Sequence, residues 1–196
     1  MGAGILPTTL YKNKLYFLFG KENKYEISAP GWCDFGGGTE KGETFMDTKV
    51  REGTEELTGF LGSEDELKRK IQEGTYDIMF NDDKYQMSII PLEYDHLLPY
   101  YYNNNQRFLQ KRLKPNLIKN SRIFEKEEIK WVCIDDIRKM RGEFRHYFQD
   151  VTDILLEKKG EIYKFIKGHL LKKLKNTKKT IKKRKKTIQT RKNTKK

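Results

Sequence analysis

The sequence has little cysteine and no long apolar run. Of its 196 residues only two are cysteines, Cys33 and Cys133. They are far apart in the chain and in no CxxC pair, which excludes a disulfide framework and argues against a zinc site. Each lies in an apolar, strand-like stretch and reads as a small buried hydrophobe. His96, His146 and His169 form no motif with either thiol, so a cysteine nucleophile has no evident base. No apolar stretch approaches the roughly 18 residues that a membrane span needs. The first residues lack the cationic region and apolar run of a secretory leader. Met1-Gly2 is followed by Leu6 where a myristoylation signal wants Ser or Thr. These absences predict an intracellular protein, most simply cytoplasmic, with no membrane insertion.

Acid is also missing from the end of the chain. Residues 172–196 hold 14 Lys and Arg and no Asp or Glu, although the whole chain carries a net charge of +13. Residues 1–171 therefore hold 27 bases against 28 acids and are close to neutral. The basic character belongs to a tail and not to the fold. Such a block repels itself, stays solvated and attracts polyanions. Beyond Leu174 the chain is Lys, Thr, Asn and Arg with scattered Ile, too polar to order itself alone. The length fits one domain plus an appendage, placed at residues 1–170 and 171–196. Within the appendage, Lys182-Lys183-Arg184-Lys185-Lys186 has the make-up of a nuclear or nucleolar signal.

The first part alternates strand and helix signals. Residues 10–19 read as a strand rich in Leu, Tyr and Phe, and residues 32–35 as a short one broken by Gly36-Gly37-Gly38. Residues 44–57 read as a helix capped by Thr44, with Gly59 just past its end. Ser63-Glu64-Asp65-Glu66 is a capping box that opens a short helix stopping at Gly74. Strands follow at 76–80 and 85–92, around Asn81-Asp82-Asp83. A helix follows at 97–113, a strand at 129–134, and helical apolar spacing through Phe144, Phe148, Val151, Ile154 and Leu155. This mixture predicts an α/β sandwich.

The chemistry is concentrated in residues 37–59, GGTEKGETFMDTKVREGTEELTG. The spacing from Gly37 to Gly42-Glu43-Thr44 imitates a P-loop, but Glu43 stands where the phosphate-binding lysine is required, and a carboxylate repels phosphate. Glu52, Glu55 and Glu56 fall at i, i+3 and i+4, on one face of the helix. Lys49 and Arg51 do not neutralise them together with Asp47. The plain alternative is a solvated acidic face. A divalent cation would offset the repulsion, and hard carboxylate oxygens favour Mg²⁺ or Mn²⁺.

Gly37, five residues, Glu43, seven residues, Arg51-Glu52, two residues and Glu55-Glu56 resemble the Nudix box, and the preceding GGGTEKGE resembles the loop that enters its helix. More weakly, the strand ending at Phe19 and the segment EIKWVCIDDI resemble elements flanking the box. The resemblance covers about residues 8–137. There are two departures. Gly53 takes an apolar position inside the helix, where glycine is less favourable than alanine by about 1 kcal/mol. Leu57-Thr58 places two residues, not one, ahead of Gly59.

The resemblance implies a Nudix α/β/α sandwich, with a mixed sheet between helices and the basic, disordered tail appended. It implies a metal-dependent enzyme that hydrolyses a phosphoanhydride in a nucleoside diphosphate-linked substrate. Glu52, Glu55 and Glu56 would hold Mg²⁺ or Mn²⁺, and Glu43 would pair with Arg51 to orient the helix. A general base or further ligand would come from Glu128 first and Glu125 second. Tyr101, Arg107 and Lys111 are candidate substrate contacts, an aromatic and two cations for base and phosphate. The alternative there is a helix burying Leu97, Leu98, Tyr101, Phe108 and Leu109.

Three functions stay open. One is cleavage of the 5′ cap or a 5′-phosphorylated end of RNA, with the tail capturing nucleic acid. The Lys-, Asn- and Ile-rich usage is similar to Nudix proteins of large DNA viruses, some of which remove caps. Another is hydrolysis of small nucleotides or diphosphoinositol polyphosphates. The third is a non-catalytic RNA-binding module, which would be expected to lose a box glutamate, whereas this chain keeps all three.

Overall fold

A computed structural model describes residues 1–25, 30–120 and 125–193, with side chains up to Asn176. The chain begins with β1 (Gly2–Tyr11), turns through Lys12 and Asn13 in the left-handed region, and returns as β2 (Lys14–Glu22). After β3 (Trp32–Cys33) and β4 (Phe35–Gly38) comes α1 (Phe45–Glu56), then α2 (Glu64–Gln72), β5 (Tyr76–Phe80) and β6 (Tyr85–Pro91). The second half holds α3 (Leu97–Arg112), α4 (Pro115–Asn120), β7 (Lys126–Cys133), α5 (Phe148–Glu157) and α6 (Lys159–Asn193).

The strands form one mixed, seven-stranded sheet in the order β3-β2-β1-β6-β5, with β4 on β1 and β7 on β2. β1 and β6 run parallel, while the other pairings are antiparallel. Successive side chains of a strand point to opposite faces, and here both faces are covered. Ile5, Leu18, Phe35, Ile90 and Ile129 pack under Val50, Leu57, Leu67, Ile71 and Tyr102, which come from the α1–α2–α3 side. Leu6, Phe17, Phe19, Met87 and Ile89 pack under Phe148, Val151, Leu155, Ile162 and Ile166 of α5 and α6. The expected α/β sandwich is observed.

β1 is not among the expected strands, because Gly2, Gly4 and Pro7 weaken its signal. It is nonetheless central. Pro7 falls between the residues paired with β4 (Gly2 to Ile5) and those paired with β2 (Thr8 to Tyr11), so its missing N–H interrupts neither ladder. On α3 the buried side chains are Tyr102 and Gln106, while Leu97, Tyr101 and Phe108 are exposed. Of the alternative buried face read from the sequence, Leu98 packs against the core and Leu109 is half-buried, while the other three residues are not buried.

α6 crosses residue 171 without a break and stays helical to Asn193. No Gly or Pro follows Gly168, and Lys and Arg are good helix formers. The side chains of residues 182–186 lie outside those described.

Candidate active site

α1 owes its position to its caps and to one glycine. The Thr44 hydroxyl accepts from the Asp47 amide, and the Asp47 carboxylate accepts from the Thr44 amide at 3.0 Å. That reciprocal pair fixes the start of the helix. A Cβ on Gly53 would lie 2.7 Å from Ile5 Cδ1 and 2.9 Å from Leu67 Cδ2. The departure at this position is thus the point where α1 presses onto β1 and α2. The extra residue before Gly59 is taken up by Thr58 and Gly59, both at positive φ beyond the helix end, and leaves the glutamate face unchanged.

Arg51 ties the helix to the loop before it. Its Nε and Nη2 donate to the two carboxylate oxygens of Glu43 at 2.7 and 3.0 Å, its Nη1 donates to Glu52 at 2.7 Å, and Nη2 also reaches the Gly38 carbonyl at 3.0 Å. Hydrogen bonds from Arg51, and then from the Glu40 amide, hold the Glu43 carboxyl down at about 2. A Cβ on Gly37 would lie 2.4 Å from Glu52 Oε1, so only glycine lets the β4 strand pass this carboxylate.

Glu52, Glu55 and Glu56 open into a cleft of about 550 Å³, lined also by Glu22, Glu125 and Arg145. Carboxylate oxygens of Glu52, Glu56 and Glu125 come within 4.8 Å of one another. Burial raises the pKa of all three. Arg51 opposes it at Glu52, Lys126 opposes it at Glu56, and neighbouring Glu52 adds to it at Glu125. Glu56 Oε2 is buried without a hydrogen-bond partner among the described residues. Oxygen-only donors, mutual repulsion and an orphaned carboxylate oxygen all fit a hard divalent cation. Glu55 lines the same cleft but stands outside this trio.

The second carboxylate source is decided by a β-bulge. β7 pairs with β2 from Tyr16↔Cys133 to Lys21↔Glu128, then slips so that Glu22 faces Lys126. A bulge re-aims side chains. Here Lys126 enters the core, while Glu127 pairs with Lys21 at 3.0 Å and Glu128 lines a separate hollow with Asn103 and Arg107. Glu128, the first choice from sequence, is therefore not brought to the cleft, whereas Glu125 is. The substrate contacts expected on α3 are not brought there either. Tyr101, Arg107 and Lys111 are exposed on that helix, and none of them lines the cleft.

Several residues of the site escape sequence reasoning. Lys126 is fully buried, and its ammonium donates to Glu22 at 2.5 Å, to Glu56 at 3.0 Å and to Cys33 Sγ at 3.1 Å. Burial alone would lower its pKa, but Cys33, Glu56 and Glu22 raise it well above the ordinary lysine value. Arg145 reaches the same Glu22 oxygen at 2.7 Å. Cys33 is buried, but it joins this polar network by donating to Glu22 at 3.3 Å, and burial pushes its thiol up to about 12. Tyr102 donates to the Glu56 carbonyl at 2.5 Å and to the Lys126 carbonyl at 3.3 Å, linking α1 to β7. In EKEE a lysine among glutamates reads as a solvated turn. The only signal for Lys126 is its place three residues before Ile129, at the start of the strand.

No protein-family model and no curated relative matches the chain. Among solved structures, it is similar to the Nudix hydrolase RenU from M. smegmatis, with 15% identity and a TM-score of 0.48, covering 82% of this chain and 86% of that one. It is also similar to an Ap4A hydrolase from C. elegans in a binary complex, with 16% identity and a TM-score of 0.46, covering 83% and 97%. Among the described residues no helix is long and apolar enough to cross a membrane. The helix that carries the box packs on one face of a mixed sheet, and a second helical layer covers the other, so the chain is an α/β sandwich.

Proposed function

We propose that the chain is a metal-dependent Nudix hydrolase that cleaves a phosphoanhydride in a nucleoside diphosphate-linked substrate. The observation that carries this is the convergence of Glu52, Glu56 and Glu125 within 4.8 Å beside the Arg51–Glu43 pair. Glu52, Glu56 and Glu125 would hold Mg²⁺ or Mn²⁺, which when bound neutralises a pyrophosphate and activates water. Arg51 fixes the orientation of Glu52. Arg145 and Lys119 line the cleft and can meet phosphate oxygens. Glu55, half-buried in the lining of the cleft, would take the proton of the attacking water as its oxygen bonds to phosphorus and the bridging P–O bond breaks. The leaving phosphate departs with the bridging oxygen.

Within this class we favour the 5′ end of RNA as substrate, because the basic run on α6 gives the domain an arm suited to a long polyanion. The test offers capped RNA, dinucleoside polyphosphates, sugar nucleotides and inositol pyrophosphates side by side with Mg²⁺ or Mn²⁺. Capped RNA should yield a nucleoside diphosphate and a 5′-phosphorylated RNA. Turnover of only the small substrates would move the assignment to them. Inertness towards all four would overturn the hydrolase reading.

A further inference from the structure

Directly behind the cleft, against Glu22 and Glu56 of its lining, lies a cation that the chain itself supplies. Lys126 lies between two buried carboxylates, 2.5 Å from Glu22 and 3.0 Å from Glu56, and is fully buried. It takes one oxygen of Glu56, Oε1, and leaves the other, Oε2, buried and without a partner. Glu56 therefore faces two ways, with an ammonium on one oxygen and an open coordination position on the other. Glu22 is filled differently. Its Oε1 accepts from Lys126, from Arg145 at 2.7 Å and from the Cys33 thiol.

Two-metal sites clamp an anionic substrate between cations about 3.5–4 Å apart that share carboxylates. The pair Glu22 and Glu56 has the make-up of half such a site: two buried carboxylates converging on one small positive group. Here that group is an ammonium. The inner ring holds four carboxylates, Glu22, Glu52, Glu56 and Glu125, against two cations, Lys126 and Arg145. Two negative charges remain, which is the charge of one divalent ion. Arg51 is shared among Glu43, Glu52 and Glu55, and counting Glu43 and Glu55 with it adds one further negative charge, still too few for two divalent ions.

We infer that Lys126 is a resident cation in the place of a second metal ion, so that the substrate-free protein takes up a single divalent ion at Glu52, Glu56 and Glu125. This rests on the metal-dependent reading above and adds how many ions the site holds and why. Breaking a buried ion pair by removing one partner leaves an uncompensated charge. Replacing the ammonium by a neutral side chain should therefore turn Glu22 and Glu56 into a site that recruits a second ion.

The test is metal stoichiometry, read without catalysis. Metal-stripped full-length protein is titrated with Mn²⁺ in the micromolar range, with no nucleotide present, by calorimetry and by the EPR signal of free Mn²⁺. The wild type should bind one ion per chain. Lys126→Gln should bind two, and Mn²⁺ should raise its thermal midpoint more than that of the wild type. Two or more ions in the wild type overturn the inference while leaving the metal reading intact, and this measurement needs no variant to fold. A folded Lys126→Gln that still binds one ion overturns it as well. A wild type that binds none overturns the metal reading together with this inference.

Discussion

The cleft and the far end of α6 are the two most strongly charged regions of the molecule, and they handle charge in opposite ways. At the cleft, Glu22, Glu56, Lys126 and Arg145 are mostly buried and joined by ion pairs, with Glu52 held beside them by Arg51, and they are drawn from β2, α1, β7 and the segment before α5. From residue 172 onward the charge is of one sign and comes from a single continuous segment of sequence. The first arrangement exists only once the sheet has formed. The second is present in the unfolded chain. Charges of the first kind can hold and orient a small, highly charged group. Charges of the second kind attract a polyanion over a distance and are screened by salt.

The comparison is broken most severely inside the cleft. Glu56→Gln keeps the shape of the side chain and removes one buried negative charge. Turnover should fall by at least about 100-fold, and Mn²⁺ affinity should fall with it in the same calorimetric titration. Glu55→Gln should lose comparable turnover yet keep its Mn²⁺ affinity, since Glu55 stands outside the trio. Equal Mn²⁺ loss in both variants would return Glu55 to the ligand set.

Packing beneath the cleft comes next. Gly53→Ala gains helix propensity but drives a Cβ into Ile5 and Leu67. Overpacking of this kind destabilises by about 1–3 kcal/mol, and thermal unfolding should show a net loss. A higher midpoint would mean that the contact between α1 and β1 relaxes freely. Tyr102→Phe removes the hydroxyl that joins the Glu56 and Lys126 carbonyls, and should reduce stability by about 1–2 kcal/mol with the cleft otherwise intact.

Asp34 makes the cleft side of the comparison pH-dependent. Burial pushes its carboxyl up to about 6, against the opposing pull of Lys126 and the hydrogen bond from Tyr85. The folded state then holds a proton that the unfolded chain releases near 3.8. Between those two values the folded state binds more protons, so this group's contribution to stability falls as pH rises. In Asp34→Asn that contribution should vanish, and thermal midpoints recorded across the window should differ from wild type by a slope of this sign.

The smallest effect on stability is expected at the other region. Truncation after Asn176 removes 11 Lys and Arg and leaves Ile162 and Ile166 in the core. The thermal midpoint should stay close to wild type, and hydrolysis of a small nucleotide should be unchanged. RNA affinity should fall and its salt dependence should flatten, because each neutralised phosphate of a single strand contributes about 0.7 to the slope. Equal affinity and equal slope in both chains would remove the reason for favouring RNA.

The box was legible because its chemistry is local. Glu52, Glu55 and Glu56 lie within one turn, so helical periodicity alone puts them on one face, while the pairing of Arg51 with Glu43 followed from the resemblance. The cap at Thr44, the capping box at Ser63 and the turn at Asn81 to Asp83 were legible for the same reason. Other features depend on residues distant in sequence. β1 is a strand because β2, β4 and β6 pair with it, against its own glycines and proline. Glu125 reaches the cleft and Glu128 does not because the ladder slips between Lys21 and Glu22. Periodicity cannot register a one-residue bulge that is set by the partner strand. The sequence by itself determined the carboxylate face of α1 and the segregation of positive charge to the end of the chain. Only the tertiary structure decided that a lysine from a run of glutamates would lie buried between Glu22 and Glu56, because that position is created where two strands and a helix meet, and no one of them encodes it.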